Sequence, residues 1–322
     1  MMTFTMKING LIPATVTPFD EDGKISDKDL ARHVFRSADV NGVYGVAVNG
    51  HAGEILSLSS RERAHVVNVA KKALPPSKKL IAGIDGRTIE GLIQEGKAAS
   101  KNGADALLVL PPFDVRPYRR LSQNANIVHT MFKQLNDELD MPMVIFLYPE
   151  KEGCTYPDSV LKSLIDIPNI VAVKAGAGNV TRYSGIWEEL KDYVSVLAAN
   201  DSPELLGMLL RGAHGSLIGI SVIGPEVWSK MVEYAISGKA QEARDIFNRF
   251  CVPLVKVIFE NQDPTSFTSP FAATKEALYQ LGEISSPYAR FPSVSPDKKR
   301  KSQITEILHK IGMIAPKAST KK

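Results

Sequence analysis

The sequence predicts a (β/α)8 TIM barrel, an α/β fold, followed by a C-terminal helical appendage. Short, almost continuously apolar runs alternate with longer amphipathic segments as far as Gly238. Runs without a polar face are typical of parallel strands that are covered by helices on both sides. Eight such runs within roughly 220 residues match the strand count and length of this barrel. The alternation then stops, so we divide the chain into a barrel domain (1–238) and a helical domain (239–322).

The predicted elements follow one another in regular order. A helix follows the first strand, with Ser26 as its N-cap and Asp29 in the capping-box position. The strands are predicted over residues 11–16, 43–48, 79–84, 106–110, 143–148, 170–174, 194–198 and 216–219. Helices between them include residues 60–73, 88–102 and 202–211, and the appendage has helices over 239–257, 266–281 and 297–311.

An open, doubly wound sheet produces the same alternation of strands and helices. Periodicity alone does not separate the open sheet from the closed barrel. The first strand is not followed by a glycine-rich fingerprint, which argues against the dinucleotide-binding form of the open sheet.

Composition excludes several classes of function. The chain of 322 residues is 44% hydrophobic and 23% charged, as expected for a soluble globular protein. The net charge of +4 is small, and the basic runs at 298–301 and 321–322 are typical of a solvated helix start and tail, so no nucleic-acid partner is predicted. No run approaches the ~18 apolar residues of a membrane span. Two cysteines do not make a disulfide framework, and we expect a cytoplasmic protein.

Two predicted strands end on residues that are able to do chemistry. One run closes with Tyr148 and the next with Lys174, and a loop signal follows each of them. Apolar surroundings disfavour the charged ammonium, so the pKa of such a lysine falls and some neutral amine becomes available to attack a carbonyl. The alternative is a lysine that extends its amine to water.

Further polar residues follow other strands. The carboxyl ends of the strands form the reactive rim of a barrel of this kind. His51 follows the second strand, within a glycine turn, and Asn200 and Asp201 follow the seventh. Asn200 and Asp201 are placed to bind the hydroxyl groups of a sugar-like aldehyde, or else to cap the helix that begins near Pro203. No His-Glu-x-x-His motif or cysteine cluster is found, so neither a metal nor a cofactor is predicted.

In this order and at these spacings, the motifs resemble the dihydrodipicolinate synthase and N-acetylneuraminate lyase family of Schiff-base-forming aldolases. The resemblance covers most of the chain. It rests on the opening segment 10–19, the Gly50-x-x-Gly53-Glu54 turn, the strand with Tyr148, the Val173-Lys174 strand with Gly178-Asn179 after it, and the helical tail.

The resemblance implies a chemical role for each matching residue. Lys174 would form an imine with the ketone of pyruvate or another 2-oxo acid, and Tyr148 would donate and accept protons. Backbone N–H groups of the glycine turn would bind the substrate carboxylate, and the carbonyl of Leu217 would contact the substrate. The predicted catalytic residues are Lys174, Tyr148 and His51, and the predicted substrate-binding residues are Gly50, Ala52, Gly53, Phe113, Leu217 and Asn200.

The chain departs from the pattern of the family's synthases at several positions. Their turn carries two threonines where this chain has His51 and Ala52, and their second tyrosine corresponds to Phe113. The hydroxyl relay of the synthases therefore cannot form. Their arginine for the aldehyde's carboxylate is also missing, and Lys151 supplies at most a point charge there. Three roles are open for His51. It replaces the relay as a proton shuttle, it binds the substrate, or it only fills the gap beside Ala52.

We therefore expect a cofactor-independent lyase that makes or breaks a carbon–carbon or carbon–oxygen bond next to a Lys174 imine. One alternative is a genuine synthase that condenses pyruvate with aspartate semialdehyde, and related dehydration or aldol reactions share the same imine. Another alternative is a protein that binds 2-oxo acids without catalysis. The resemblance also implies a homo-oligomer, a dimer or a tetramer.

Overall fold

In the computed structural model, which describes residues 6–111, 122–149, 155–260 and 269–315, eight parallel strands form one closed barrel. From the second strand to the eighth, each strand pairs with the next along the chain, and the eighth pairs with the first. Isolated bridges from Leu11 to Val43 and from Ala14 to Ala47 close the remaining gap between the first and second strands. The strands are β1 (Gly10–Pro13), β2 (Gly45–Val48), β3 (Lys79–Ile84), β4 (Ala106–Val109), β5 (Met143–Leu147), β6 (Ile170–Ala175), β7 (Ser195–Ala198) and β8 (Gly215–Ile218). The closed barrel is confirmed, and the open sheet is wrong.

A helix follows each strand on the outside of the barrel. These helices are α1 (Asp27–Ala38), α2 (Ser60–Ala73), α3 (Ile89–Lys101), α4 (Ala125–Leu139), α5 (Asp158–Leu164), α6 (Val180–Leu190), α7 (Leu205–Arg211) and α8 (Pro225–Ile236). Short 3-10 helices at Ile55–Ser57 and Ile220–Val222 lie in the loops after β2 and β8. None of the helices within the described ranges is long and apolar enough to span a bilayer.

Apolar side chains on both faces of the strands explain the architecture. On β4, Leu107 packs outward against the helices, and Leu108 points into the barrel. The interior of the barrel is filled by residues from successive strands, among them Ile12, Ile81, Val144 and Leu197. Two apolar layers are thus buried by the same strands, which accounts for the continuous apolar runs in the sequence.

The C-terminal segment is helical, as predicted. It contains α9 (Ala240–Ile246), α10 (Val252–Val255), α11 (Pro270–Gln280) and α12 (Lys298–Lys310), with π-helical turns at Phe247–Cys251 and Lys256–Glu260. The Phe271 side chain of α11 belongs to the apolar cluster inside the barrel. The appendage therefore reaches the barrel interior, while the division of the chain at residue 238 stays a prediction.

Ser26 is the N-cap of α1, as predicted, but the capping box and a second predicted cap differ from the structure. Ser26 accepts a hydrogen bond from the N–H of Asp29 (3.4 Å), but the Asp29 carboxylate pairs with Arg32 and with Ser285 of the C-terminal segment. It therefore ties α1 to the appendage instead of completing a capping box. α7 begins at Leu205 without a side-chain cap, so the capping alternative for Asn200 and Asp201 is wrong.

Candidate active site

Lys174 lies inside the barrel at the carboxyl end of β6. Its neighbours in register are Phe146 on β5 and Leu197 on β7, and only 8% of its surface is exposed. Burial lowers the pKa of its amine to about 7, while the nearby Asp201 carboxylate acts in the opposite direction. A substantial neutral fraction is therefore present near pH 7, and the amine does not extend into bulk water.

Phe146 and Tyr148 place an aromatic surface against the amine. They point to the same side of β5 because they are two residues apart. Their rings stack with centroids 4.2 Å apart and an interplanar angle of 21°. The Lys174 Nζ atom lies 3.4 Å from the centroid of the Phe146 ring. The amine and the Tyr148 ring thus contact the same phenylalanine, and Tyr148 is itself only 7% exposed.

His51 stands at the rim of this cluster and is exposed to solvent. Its ring centroid lies 5.9 Å from that of Tyr148 and 4.9 Å from that of Phe271 on α11. Partial removal from water, and then the nearby Lys174 ammonium, lower its pKa below the usual value. The imidazole is therefore neutral at pH 7 and able to accept a proton or a hydrogen bond. Its predicted role as a shuttle or ligand stays a prediction.

The glycine turn after β2 is bounded by two residues with left-handed backbone conformation, Asn49 (φ 53°) and Glu54 (φ 55°). Gly50 begins the turn, and Ala52 and Gly53 are buried within it. The carbonyl of Gly53 accepts a hydrogen bond from the Thr17 hydroxyl (2.8 Å), which fixes the turn to the loop after β1. The turn thus lies at the carboxyl ends of β1 and β2, on the rim that also carries Lys174.

Asp201, for which the sequence indicated aldehyde binding or helix capping, has a carboxylate that acts on the Lys174 amine. Its Oδ1 atom accepts a hydrogen bond from the backbone N–H of Ile220 (2.8 Å), which holds the carboxylate at the start of the 3-10 helix after β8. Burial raises its pKa, and the Ile220 N–H and the Lys174 ammonium oppose this effect. The only sequence signal was a carboxylate directly after β7.

Asn200 holds the loop that follows the lysine strand. Its amide oxygen accepts from the backbone N–H of Ala177 (3.0 Å), and its amide nitrogen donates to the Ala177 carbonyl (2.6 Å). These two bonds explain why an amide stands at this position. They also occupy the groups with which Asn200 was expected to contact an aldehyde, and that role stays a prediction.

The remaining predicted residues differ in how far the structure describes them. Leu217 is fully buried in the barrel interior on β8, where it pairs with Ile12 of β1. Phe113 and Lys151 lie outside the described residues. Among the described residues, no group of three or more histidine, cysteine, aspartate or glutamate side chains is arranged to hold a metal ion.

Two cavities lie elsewhere in the molecule. One, of about 470 Å³, is lined by charged side chains such as Arg36, Glu226 and Glu283, beside the C-terminal helices. The other, of about 450 Å³, is an apolar cleft between α3 and α4. Neither cavity is lined by Lys174 or Tyr148, so cavity volume alone does not mark the predicted catalytic residues.

Sequence comparison connects this geometry with known enzymes. The model of the dihydrodipicolinate synthetase family matches residues 7–311. The 4-hydroxy-tetrahydrodipicolinate synthase of Methanosarcina barkeri is 28% identical over 305 residues, which cover 95% of this chain and 99% of that protein. The enzyme of the same name from a Sulfurihydrogenibium species is also 28% identical, with 95% and 99% coverage.

Solved structures agree with the sequence comparison. The dihydrodipicolinate synthase of Acinetobacter baumannii, solved in complex with pyruvate, has a TM-score of 0.84 and 25% identity, covering 96% of this chain and 100% of that one. The dihydrodipicolinate synthase of Aquifex aeolicus has a TM-score of 0.83 and 27% identity, with 95% and 99% coverage. The barrel and the C-terminal helices are thus shared along nearly the whole length.

Proposed function

Because the chain belongs to the dihydrodipicolinate synthetase family and is a lyase of that family, we propose that Lys174 forms an imine with a 2-oxo acid such as pyruvate. Tyr148 then moves the protons of the reaction. The observation that carries the proposal is a buried amine, with its pKa lowered to about 7, which shares an aromatic contact with Tyr148.

The lowered pKa supports the first chemical step. A neutral Lys174 amine attacks the C2 carbon of the 2-oxo acid, and loss of water gives a protonated imine. The positive imine withdraws electrons from C3, so that a bond at C3 can form or break with its electron pair held as an enamine. Burial of the amine restricts the access of water to this intermediate.

The remaining groups of the site fit the two ends of the substrate. The glycine turn offers backbone N–H groups to the carboxylate, and Gly50 and Gly53 allow the close approach of that backbone. The Tyr148 hydroxyl acts as the acid and base at the carbon or oxygen that joins or leaves. His51, neutral at pH 7, takes the place of a hydroxyl relay beside Tyr148.

A second candidate is the condensation of pyruvate with aspartate semialdehyde, which the name of the relatives favours. Against it stand His51 and Ala52, at positions where the family's synthases carry two threonines. The imine at Lys174 is common to both candidates, and they differ only in the second substrate.

We also propose that the protein is cytoplasmic and forms a homo-oligomer. Light scattering after gel filtration measures the molar mass and so tests the oligomeric state directly.

The decisive experiment traps the imine. The protein is incubated with pyruvate, reduced with borohydride and analysed by intact mass and peptide mapping. We expect one reduced adduct at Lys174, and none in Lys174→Arg, whose guanidinium stays charged. Absence of the adduct, or an adduct that persists in Lys174→Arg, contradicts the proposal.

Turnover separates the second substrates. Aspartate semialdehyde and a panel of 2-oxo-3-deoxy sugar acids are assayed with the same preparation. If the adduct forms but none of these compounds is turned over, we would conclude that the protein binds 2-oxo acids without lyase activity on them.

A further inference from the structure

A buried ion pair joins the glycine turn to the C-terminal helices. The Glu54 carboxylate, at the end of the turn, contacts the Nζ atom of Lys275 on α11. Glu54 is 7% exposed and Lys275 is 0% exposed. The two residues are 221 positions apart in the chain, so the contact exists only because the appendage packs on the barrel. Loss of one partner leaves the other charge buried and unpaired, which is strongly unfavourable.

Further contacts hold the Lys275 ammonium in place. It donates a hydrogen bond to the carbonyl of Tyr288 (3.1 Å) and lies 4.2 Å from the centroid of the Phe19 ring. Burial lowers the pKa of Lys275 to about 8, and the Glu54 carboxylate opposes this effect. The ammonium is therefore fixed by a carboxylate, a carbonyl and an aromatic face, and none of these contacts depends on solvent.

Arg290, also from the C-terminal segment, secures the neighbouring backbone. Its guanidinium lies 4.4 Å from the centroid of the same Phe19 ring and donates to the carbonyls of Ser57 and Gly23 (2.8 Å each). It also pairs with Glu62 at the start of α2. The appendage thus holds the chain at residue 54, at residue 57 and at residue 62, directly after the turn.

The conformation of Glu54 explains why a side-chain anchor matters here. Its backbone is left-handed (φ 55°, ψ 41°), a conformation that is unfavourable for a residue with a Cβ atom. A free glutamate would relax toward a right-handed conformation and turn the preceding peptide groups. The ion pair with Lys275 and the bond from Thr17 to Gly53 oppose this relaxation from two sides.

We propose that Lys275 is a positioning residue for substrate binding. By holding Glu54, it keeps the backbone N–H groups of the turn directed toward the carboxylate of the 2-oxo acid. This inference rests on the proposed imine at Lys174. It assigns the C-terminal helices a role in recognising the substrate carboxylate, separate from the reactivity of the amine.

The test compares two ligands that differ only in the carboxylate. Pyruvate carries the charge, and methyl pyruvate carries the same ketone without it. Borohydride trapping at Lys174 is measured against ligand concentration for the wild type, Lys275→Met and Glu54→Gln. Lys301→Met serves as the matched control, because Lys301 pairs with Glu276 (3.1 Å) in the same appendage.

We expect Lys275→Met and Glu54→Gln to raise the half-saturating pyruvate concentration by about tenfold while the value for methyl pyruvate changes by less than about twofold. Lys301→Met leaves both values unchanged. If Lys275→Met does not fold, Glu54→Gln carries the test, since it keeps the shape of the side chain.

The outcomes separate the two proposals. If the half-saturating concentration rises equally for both ligands, or for neither, the positioning role is overturned while the imine stands. A wild-type protein that forms no adduct with either ligand overturns the imine, and the positioning role falls with it.

Discussion

The side chains of Lys174 and Phe146 meet across the β5–β6 pair, with Nζ 3.4 Å from the centroid of the ring. The contact has two opposing effects on the amine. The face of the ring attracts an ammonium, whereas its apolar bulk excludes the water that would solvate the charge. Burial is the larger effect, and the pKa of Lys174 falls to about 7.

Imine formation should therefore rise with pH through about 7. Only the neutral amine attacks the ketone, so the rate of adduct formation with pyruvate increases as pH rises through the pKa of Lys174 and then levels off. Single-turnover trapping with borohydride at about pH 5.5 to 9 measures this profile. A rate that does not level off by about pH 9 and still rises toward the ordinary lysine value, about 10.4, would contradict a buried amine.

Asp201→Asn should move this midpoint to lower pH. The Asp201 carboxylate attracts the ammonium and raises the pKa of Lys174, so its neutralisation lowers that pKa. The asparagine oxygen can still accept from the Ile220 N–H, which preserves the local structure. The control is Asp166→Asn, which removes an exposed surface carboxylate. An unchanged midpoint in Asp201→Asn would show that the two charges are not coupled.

His51→Ala should lower turnover by about 10²-fold, with the Lys174 adduct still formed, because the imidazole lies beside Tyr148, whose proposed proton transfers follow imine formation. His51→Asn distinguishes the two possible roles. If His51 only donates or accepts a hydrogen bond, asparagine restores much of the activity, whereas a proton shuttle is not restored. Steady-state rates across pH decide between these roles. If His51→Ala keeps the wild-type rate and pH profile, His51 has neither role and only fills the space beside Ala52.

Asn200→Ala should cost about 1–3 kcal/mol in the free energy of unfolding, because both backbone groups of Ala177 lose their partner. The preference among second substrates should stay the same, since the amide faces the loop. Urea denaturation and the substrate panel measure the two effects. Unchanged stability with an altered preference would instead support the predicted contact between Asn200 and the substrate.

His33 should make stability depend on pH. It is buried on α1, and neither ring nitrogen has a hydrogen-bond partner among the described residues. Burial first, and then the charges of Arg36 and Lys275, lower its pKa from 6.5 to about 3. Between these values the unfolded chain binds a proton that the folded protein excludes. The free energy of unfolding therefore falls as pH falls, by up to about 1.4 kcal/mol per pH unit.

His33→Leu should flatten this dependence between about pH 6.5 and 3, and urea denaturation at several pH values measures the slope. His129→Leu, a substitution on the surface of α4, is the matched control and should keep the wild-type slope. A slope that is the same in His33→Leu and the wild type would assign the acid sensitivity to other groups.

The sequence by itself determined the barrel and the two residues proposed to react. Continuous apolar runs report strands buried on both faces, and this pattern depends only on local composition. Tyr148 and Lys174 stand out because each ends such a run, and the rule that strand ends form the rim places them together. The structure confirms the closed barrel, and the two side chains lie against the same Phe146 ring.

Only the tertiary structure decided which polar groups pair. Asn200 binds Ala177 and Asp201 binds Ile220, where the sequence had offered a helix cap. The pair of Glu54 and Lys275 joins residues that no local pattern connects. The physical reason is that periodicity reports which face of an element is buried, whereas the partner of a buried charge depends on how distant segments pack.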